Sequence, residues 1–431
     1  MRNSNEYHIE AIPYGTTEIT IRIPKRNYFD TLVPTYSHGV RDERKEIIRV
    51  LQHPIGTPPL EDIIQSRKPE QTVVVVNDGT RPTATSKLLP PLLQELERCG
   101  IANDRIVILI ATGTHRDVRP EEFEGLLGKG IADRYHIVNH HCQEMENMVD
   151  LGTTSQGIPI ILNRLFCEAD LKILTGSIHP HQRAGFSGGR KSVLPGIASL
   201  ESLRLHHSDK FCSPEPAMGW VEENPFHLAA MEAAKRAGTD FILNLVQNKH
   251  KDITQAVAGD LEAAWLAGVE AGRKIFEIEA PSGVDIVVAV PGGYPRDSSL
   301  YQSQKSMAAA EMVVKQGGTI ILPVACPDGV GSGGFYEWMV SASCPEDVIE
   351  RFKKEGFSIG TSKAWLYSRC LIKAELIVVS NGLDEVTLSR MFTKKAPDFE
   401  TALKMALERQ GKDAKVLVMR NAADMIPRKK V

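Results

Sequence analysis

The chain has 431 residues, a charged fraction of 24% and a hydrophobic fraction of 42%, which is too long for one ordinary domain and typical of a globular protein. Its net charge of −3 and pI near 6.5 give no electrostatic reason to expect nucleic acid or an anionic membrane as partner, so any anionic ligand has to be caught locally. Seven cysteines without a C-x-x-C pair, a polar start from Met1 to Pro13 and no run near the roughly 18 apolar residues of a membrane span predict a cytoplasmic protein without disulfides or a zinc signature.

Taken in order, the first clear element is Glu18-Ile19-Thr20-Ile21-Arg22-Ile23, whose alternation reads as a half-buried strand ended by Pro24. A helix is expected over Asp42 to Gln52. The pattern then changes to Thr72-Val73-Val74-Val75-Val76, β-branched throughout, as suits a parallel strand buried on both faces. This strand delivers the polar loop Asn77-Asp78-Gly79-Thr80-Arg81-Pro82-Thr83, followed by a helix from about Ser86 to Cys99. The unit repeats. Arg105 to Ala111 delivers Thr112-Gly113-Thr114-His115-Arg116, and Leu171 to Thr175 delivers Gly176-Ser177-Ile178-His179-Pro180-His181-Gln182-Arg183-Ala184-Gly185-Phe186-Ser187-Gly188-Gly189-Arg190-Lys191. Strand, loop and helix in series imply a parallel sheet, with all three loops on one edge.

The glycines of the third loop free its backbone N–H groups to face an anion, so the loop is expected to cradle phosphate. His181, Lys191 and His207 lie on it or just beyond it, and each can carry a proton, a metal or a covalent adduct. Further on, Asn224-Pro225 opens a helix reaching Gly238, Phe241 to Val246 is a strand, and the helix Leu261 to Ile278 reads as an interdomain connector. A second βα series follows, with strands near Val284 to Val290, Thr319 to Ala325, Leu376 to Ser380 and Lys415 to Met419, and helices near Gln302 to Gln316, Pro345 to Glu355 and Phe399 to Arg409. The expectation is therefore an α/β chain of two lobes, each a mainly parallel sheet flanked by helices. An N-terminal catalytic domain over 1–270 and a C-terminal domain over 271–431 would share a site in the cleft between them.

In the second series, Gly292-Gly293 precedes a helix starting near Ser299, on which Tyr301 and Lys305 share a face with Gln302 alongside. That is either a helix N-terminus suited to a carboxylate or a solvated first turn with a surface lysine. His115 and His181 on neighbouring strand ends can exchange protons with opposite sides of a small substrate, and Arg81 with Lys305 can clamp its carboxylate. This equipment suits inversion at the α-carbon of a small acid but lacks an electron sink.

The motifs Thr112-Gly113-Thr114-His115-Arg116, Gly185-Phe186-Ser187-Gly188-Gly189-Arg190-Lys191 and Gly293-Tyr294-Pro295 through Lys305 resemble, in order and across both lobes, the nickel-pincer lactate racemase family. The resemblance implies a 2-hydroxy acid racemase or epimerase with a nickel-pincer nucleotide, made by cofactor-synthesis enzymes, tethered at Lys191 through a thioamide and with its metal held by His207. It implies His115 and His181 as the acid/base pair, and Arg81, Tyr301, Gln302 and Lys305 as substrate-binding residues. Asp78, Ser187, Gly188, Gly189 and Trp365 would belong to the cofactor pocket. In the implied mechanism one histidine removes the hydroxyl proton while the α-hydride moves to the pincer carbon, and the 2-keto acid takes hydride back on its other face. His206 beside His207, and His179 near His181, compete for those roles, and the family's spacing chooses between them. Arg183, if it faces the cleft, favours a second carboxylate or a polyol on the substrate; if it points outward it is a surface charge. Two rival readings are an ordinary nucleotide-dependent phosphoryl transferase, disfavoured because no G-x-x-x-x-G-K-[ST] run is present, and a non-enzymatic nickel or cofactor carrier using His206 and His207.

Overall fold

The computed structural model describes residues 6–35, 37–80, 83–248 and 250–429. The chain divides into two compact units. The first comprises residues 36–207 and 219–275, built on a six-stranded sheet. Its strand order is Ile253–Gly259, Phe241–Gln247, Leu171–Ser177, Thr72–Asn77, Ile106–Ala111 and His136–Asn139. All pairs are parallel except the outermost, where Phe241–Gln247 and Ile253–Gly259 run antiparallel. Residues 72–76 are all buried, and Val74 and Val76 point to the side where helices Glu43–Gln52, Leu60–Arg67 and Thr85–Arg98 supply Ile47, Ile63, Leu88, Leu92 and Leu96. The three loops expected on one edge follow adjacent parallel strands, as the right-handed βαβ rule requires.

The second unit comprises residues 1–35, 208–218 and 276–431. Its sheet runs Lys394–Ala396, Ala374–Val379, Val314–Pro323, Val284–Val290, Val416–Arg420 and Tyr28–Leu32, with every pair parallel. Residues 1–35, expected within an N-terminal domain over 1–270, fall in this unit. The hairpin Tyr7–Tyr14/Thr17–Pro24 buries Ile12, Ile21 and Ile23 against Ile286, Val288 and Val418, and Tyr28–Leu32 completes the sheet edge beside Val416–Arg420. Residues 208–218 also leave the first unit for the second. The helix expected as a connector, Ala263–Phe276, belongs almost wholly to the first unit. Among the described residues no helix is long and apolar enough to cross a membrane, and all seven cysteines are free thiols.

Candidate active site

The polar ends of the first unit's central strands are tied to one another before they carry any chemistry. Thr83 Oγ1 donates to Asn77 Oδ1 at 3.0 Å and lies 2.8 Å from Ser177 Oγ, and the Gly113 N–H donates to the Gly196 carbonyl at 3.0 Å. The first and third loops are thereby stapled together, and the second is fixed to the chain that follows the third. On this frame His115 Nδ1 meets Asp78 Oδ2 at 2.6 Å, while the other carboxylate oxygen accepts from Thr80 Oγ1 at 2.7 Å. Asp78 is buried and His115 half-exposed, so a desolvated carboxylate orients an accessible imidazole and leaves Nε2 to act as base. Asp78 was expected in the cofactor pocket; here it holds His115. Arg81 lies outside the described residues.

In the third loop His181 Nδ1 accepts the backbone N–H groups of Arg183 and Ala184 at 3.2 and 3.1 Å. Its Nε2 faces Lys191 Nζ at 2.9 Å. The Phe226 ring gathers the rest of the cluster. Lys191 Nζ lies 5.7 Å from its centroid, the Arg183 guanidinium 4.9 Å, and the rings of His206, His207 and His181 at 3.7, 5.1 and 6.3 Å. Phe226 was missed by sequence reasoning, although Asn224 at the N-cap and Pro225 at the first turn of helix Pro225–Arg236 fix its place.

Hydrogen bonding separates the two adjacent histidines. His206 Nε2 donates to the Phe226 carbonyl at 2.8 Å, and burial pushes the ring down to about 3, so it is a neutral packing group. His207 caps helix Leu200–His206 and its Nδ1 donates to the Leu203 carbonyl at 3.0 Å, which puts the lone pair on Nε2. Desolvation, then the Arg183 charge, holds His207 well below its ordinary value. A neutral imidazole with a fixed tautomer is the form that binds a borderline divalent metal. Among the described residues no group of three or more His, Cys, Asp or Glu is arranged to hold an ion, so any metal taking His207 needs its other ligands from elsewhere.

The glycine loop uses many of its backbone N–H groups on partners within the protein. Arg183 and Ala184 donate to His181, Phe186 to the Ala184 carbonyl, Ser187 to the His179 carbonyl, Gly189 to Asn244 Oδ1 and Lys191 to the Gly188 carbonyl. The Ser187 hydroxyl likewise donates to the Ser177 carbonyl at 2.7 Å. The glycines are there for space. At Gly185, with φ +72°, a Cβ would stand 2.0 Å from the Trp220 carbonyl oxygen, and at Gly188, with φ +81°, 2.3 Å from Asn244 Oδ1.

In the second unit, helix Leu300–Val313 begins at the cap Ser299, so Tyr301, Gln302 and Lys305 fall on its first turns as expected. Its N-terminus is not an open anion site. Leu300 and Tyr301 donate to the Gly329 and Val330 carbonyls, and Gln302 to Ser299 Oγ. Trp365 lies on helix Thr361–Lys373, buried, between Phe352 and the Arg369 guanidinium. The same helix brings in Lys363, unforeseen from sequence, which donates to Gln304 Oε1 at 2.9 Å and stands 5.0 Å over the Tyr301 ring.

Residues 14–219 match the family model described as the lactate racemase N-terminal domain, and residues 280–426 the lactate racemase C-terminal domain. The lactate racemase of Thermoanaerobacterium thermosaccharolyticum is 36% identical over 425 residues, covering 97% of this chain and 99% of that protein. That of Lactiplantibacillus plantarum is 35% identical over 429 residues, covering 96% and 98%. The structure of the lactate racemase apoprotein from T. thermosaccharolyticum aligns with a TM-score of 0.91 at 34% identity, covering 98% of this chain and 100% of that one. A Thermotoga maritima protein shares the fold at 19% identity, with a TM-score of 0.66 over 92% of this chain and 100% of that one.

Proposed function

The chain belongs to the lactate racemase family, and on that premise we propose that it inverts C2 of a 2-hydroxy acid with His115 and His181 as its acid/base pair and a nickel-pincer nucleotide carried on Lys191. It is an isomerase of the racemase class. The observation that carries the reading is the approach of His181 Nε2 to Lys191 Nζ at 2.9 Å in the cluster around Phe226 that also holds His207. The donor set fits the cofactor: one amine for the tether, and one neutral imidazole with its lone pair on Nε2 for the metal. When bound, that group supplies a hydride acceptor and donor for C2.

The chain's own residues do the rest. His115, oriented by Asp78, takes the hydroxyl proton of one enantiomer, and His181, whose Nε2 faces Lys191 Nζ, serves the other. Tyr301, Gln302 and Lys305 hold the substrate carboxylate, with Arg81 as a further cation and Trp365 lining the cofactor pocket. Arg183 is buried and its guanidinium donates to the His207 carbonyl at 3.2 Å, which favours the inward alternative and an acid with a second carboxylate over lactate.

Intact mass of the protein made together with the cofactor-synthesis enzymes tests the tether. A covalent nickel-containing adduct, absent from Lys191→Ala, is expected, and an unmodified chain that still racemises a 2-hydroxy acid overturns it. Arg183→Phe is expected to shift the ratio of kcat/KM for malate over lactate toward lactate; an unchanged ratio counts against a substrate role for Arg183.

A further inference from the structure

Lys363 is the third residue of helix Thr361–Lys373, yet only 9% of its surface is exposed. A cation there faces the positive end of its own helix dipole and gives up water, so folding gains little from it. A residue that breaks a local rule in this way points to function. Its ammonium has a defined place: Nζ donates to Gln304 Oε1 at 2.9 Å and stands 5.0 Å from the centre of the Tyr301 ring. Gln304 is fully buried, and its Nε2 has no hydrogen-bond partner. The amide is therefore turned to suit the ammonium although its own N–H groups stay unsatisfied.

Tyr301 is held from three sides. Its backbone N–H donates to the Val330 carbonyl at 3.0 Å, the buried Phe335 packs edge-on with ring centres 6.1 Å apart, and Lys363 lies over the ring face. The ring is half-buried, while Gln302 and Lys305 on the same first turns are exposed. A cation over the face of a phenol fixes the ring plane and draws electron density from it, which makes the O–H a stronger donor to an anionic acceptor.

We infer that Lys363 is a positioning residue for substrate binding: held by Gln304, it sets the Tyr301 ring and strengthens that phenol as a hydrogen-bond donor to the carboxylate of the 2-hydroxy acid. The kinetic consequence rests on the proposed substrate role of Tyr301, whereas the coupling between ammonium and phenol does not. A carboxylate contact made equally in ground and transition states acts on KM and leaves kcat alone.

Full-length protein carrying 3-fluorotyrosine in place of tyrosine reports the coupling, with Tyr301 assigned by the 19F signal missing from Tyr301→Phe. Lys363→Met removes the charge at similar length and is expected to raise the pH midpoint of the Tyr301 phenol by about half a unit to one unit; a midpoint that does not rise overturns the inference. In cofactor-loaded enzyme the same variant is expected to raise KM for the acid turned over about threefold to tenfold, with kcat within about twofold. In a Tyr301→Phe background Lys363→Met is expected to change KM by less than about twofold, because the hydroxyl it acts through is gone. An undiminished rise there gives Lys363 a role of its own and overturns the inference, as does an unchanged KM in the single variant. Should Lys363→Met not fold, Gln304→Leu, which takes the acceptor from the ammonium, is expected to raise the same midpoint by at least about two tenths of a unit, and no rise overturns it. Failure of the wild type to racemise any 2-hydroxy acid refutes the functional reading, and the 19F midpoint still decides whether Lys363 acts on Tyr301.

Discussion

In the first unit the polar chemistry hangs on loops at the carboxyl ends of strands Thr72–Asn77, Ile106–Ala111 and Leu171–Ser177, whereas in the second it lies on helices Leu300–Val313 and Thr361–Lys373. Of the 13 histidines, all but His8 fall in the first unit. Several are buried and neutral: burial pushes His206 and His227 to about 3 and His140 to about 4. The second unit buries an ion pair instead, with Arg369 donating to both Glu311 oxygens at 2.8 and 2.9 Å and to the Ser213 and Glu215 carbonyls at 3.1 Å. One unit keeps several buried rings uncharged. The other ties two helices and the crossing segment 208–218 with a fixed charge.

That contrast predicts different responses to acid, and this is the largest effect expected. A histidine with a depressed folded value leaves the unfolded chain binding more protons, so its stabilisation is complete above about pH 6.5 and is lost as pH falls toward its folded value. From pH 7 to 5 each of His140, His206 and His227 is expected to cost about 2 kcal/mol, about 6 kcal/mol together. Glu311 has the opposite sign: burial raises its carboxyl against the pull of Arg369, so the folded state takes up that proton first. Hydrogen exchange by mass spectrometry is expected to show strands 171–177 and 241–247 losing protection at pH 5 before strands 284–290 and 416–420. Equal loss in both would break the comparison.

Next in size are the histidines proposed to act as the acid/base pair. His115→Asn and His181→Asn are each expected to lower kcat about 10²- to 10⁴-fold while the Lys191 adduct persists by mass; near-wild-type turnover in either removes that ring from the reaction. In the second unit Arg369→Met leaves Glu311 buried without its fork and is expected to cost about 3 kcal/mol in denaturant unfolding, most of it regained by adding Glu311→Leu. A double variant no more stable than the single would show that the pair is not the anchor described. Asp78→Asn is the mildest, expected to reduce kcat about tenfold to a hundredfold with the fold intact; an effect as large as that of His115→Asn would make the carboxylate more than an orienting group.

The β-branched runs at 72–76 and 284–290 made both sheets legible, because a strand buried on both faces admits few other residues. The polar loops that carry His115, His181 and Lys191 were legible as strand-end loops for the same reason, since such strands carry their polar groups only at their ends. Composition reports that the backbone of residues 185–189 bends, but whether its N–H groups or its carbonyls point inward depends on Arg190, Trp265 and Asn244, which come from three different elements. The choice between His206 and His207 needed the Phe226 and Leu203 carbonyls, and neither bond leaves a trace in spacing.

The sequence by itself determined the α/β class, the two series of strands, the strand-end positions of the candidate catalytic groups and the membership of the family, because burial on a sheet writes itself into consecutive residues. Only the tertiary structure decided that residues 28–32 complete the second sheet, that Asp78 meets His115, and that Arg190 reaches the Ser187 and Gly188 carbonyls. Those are pairings in space, and a backbone or side-chain donor selects its acceptor by distance and direction, quantities that a linear order of residues does not contain.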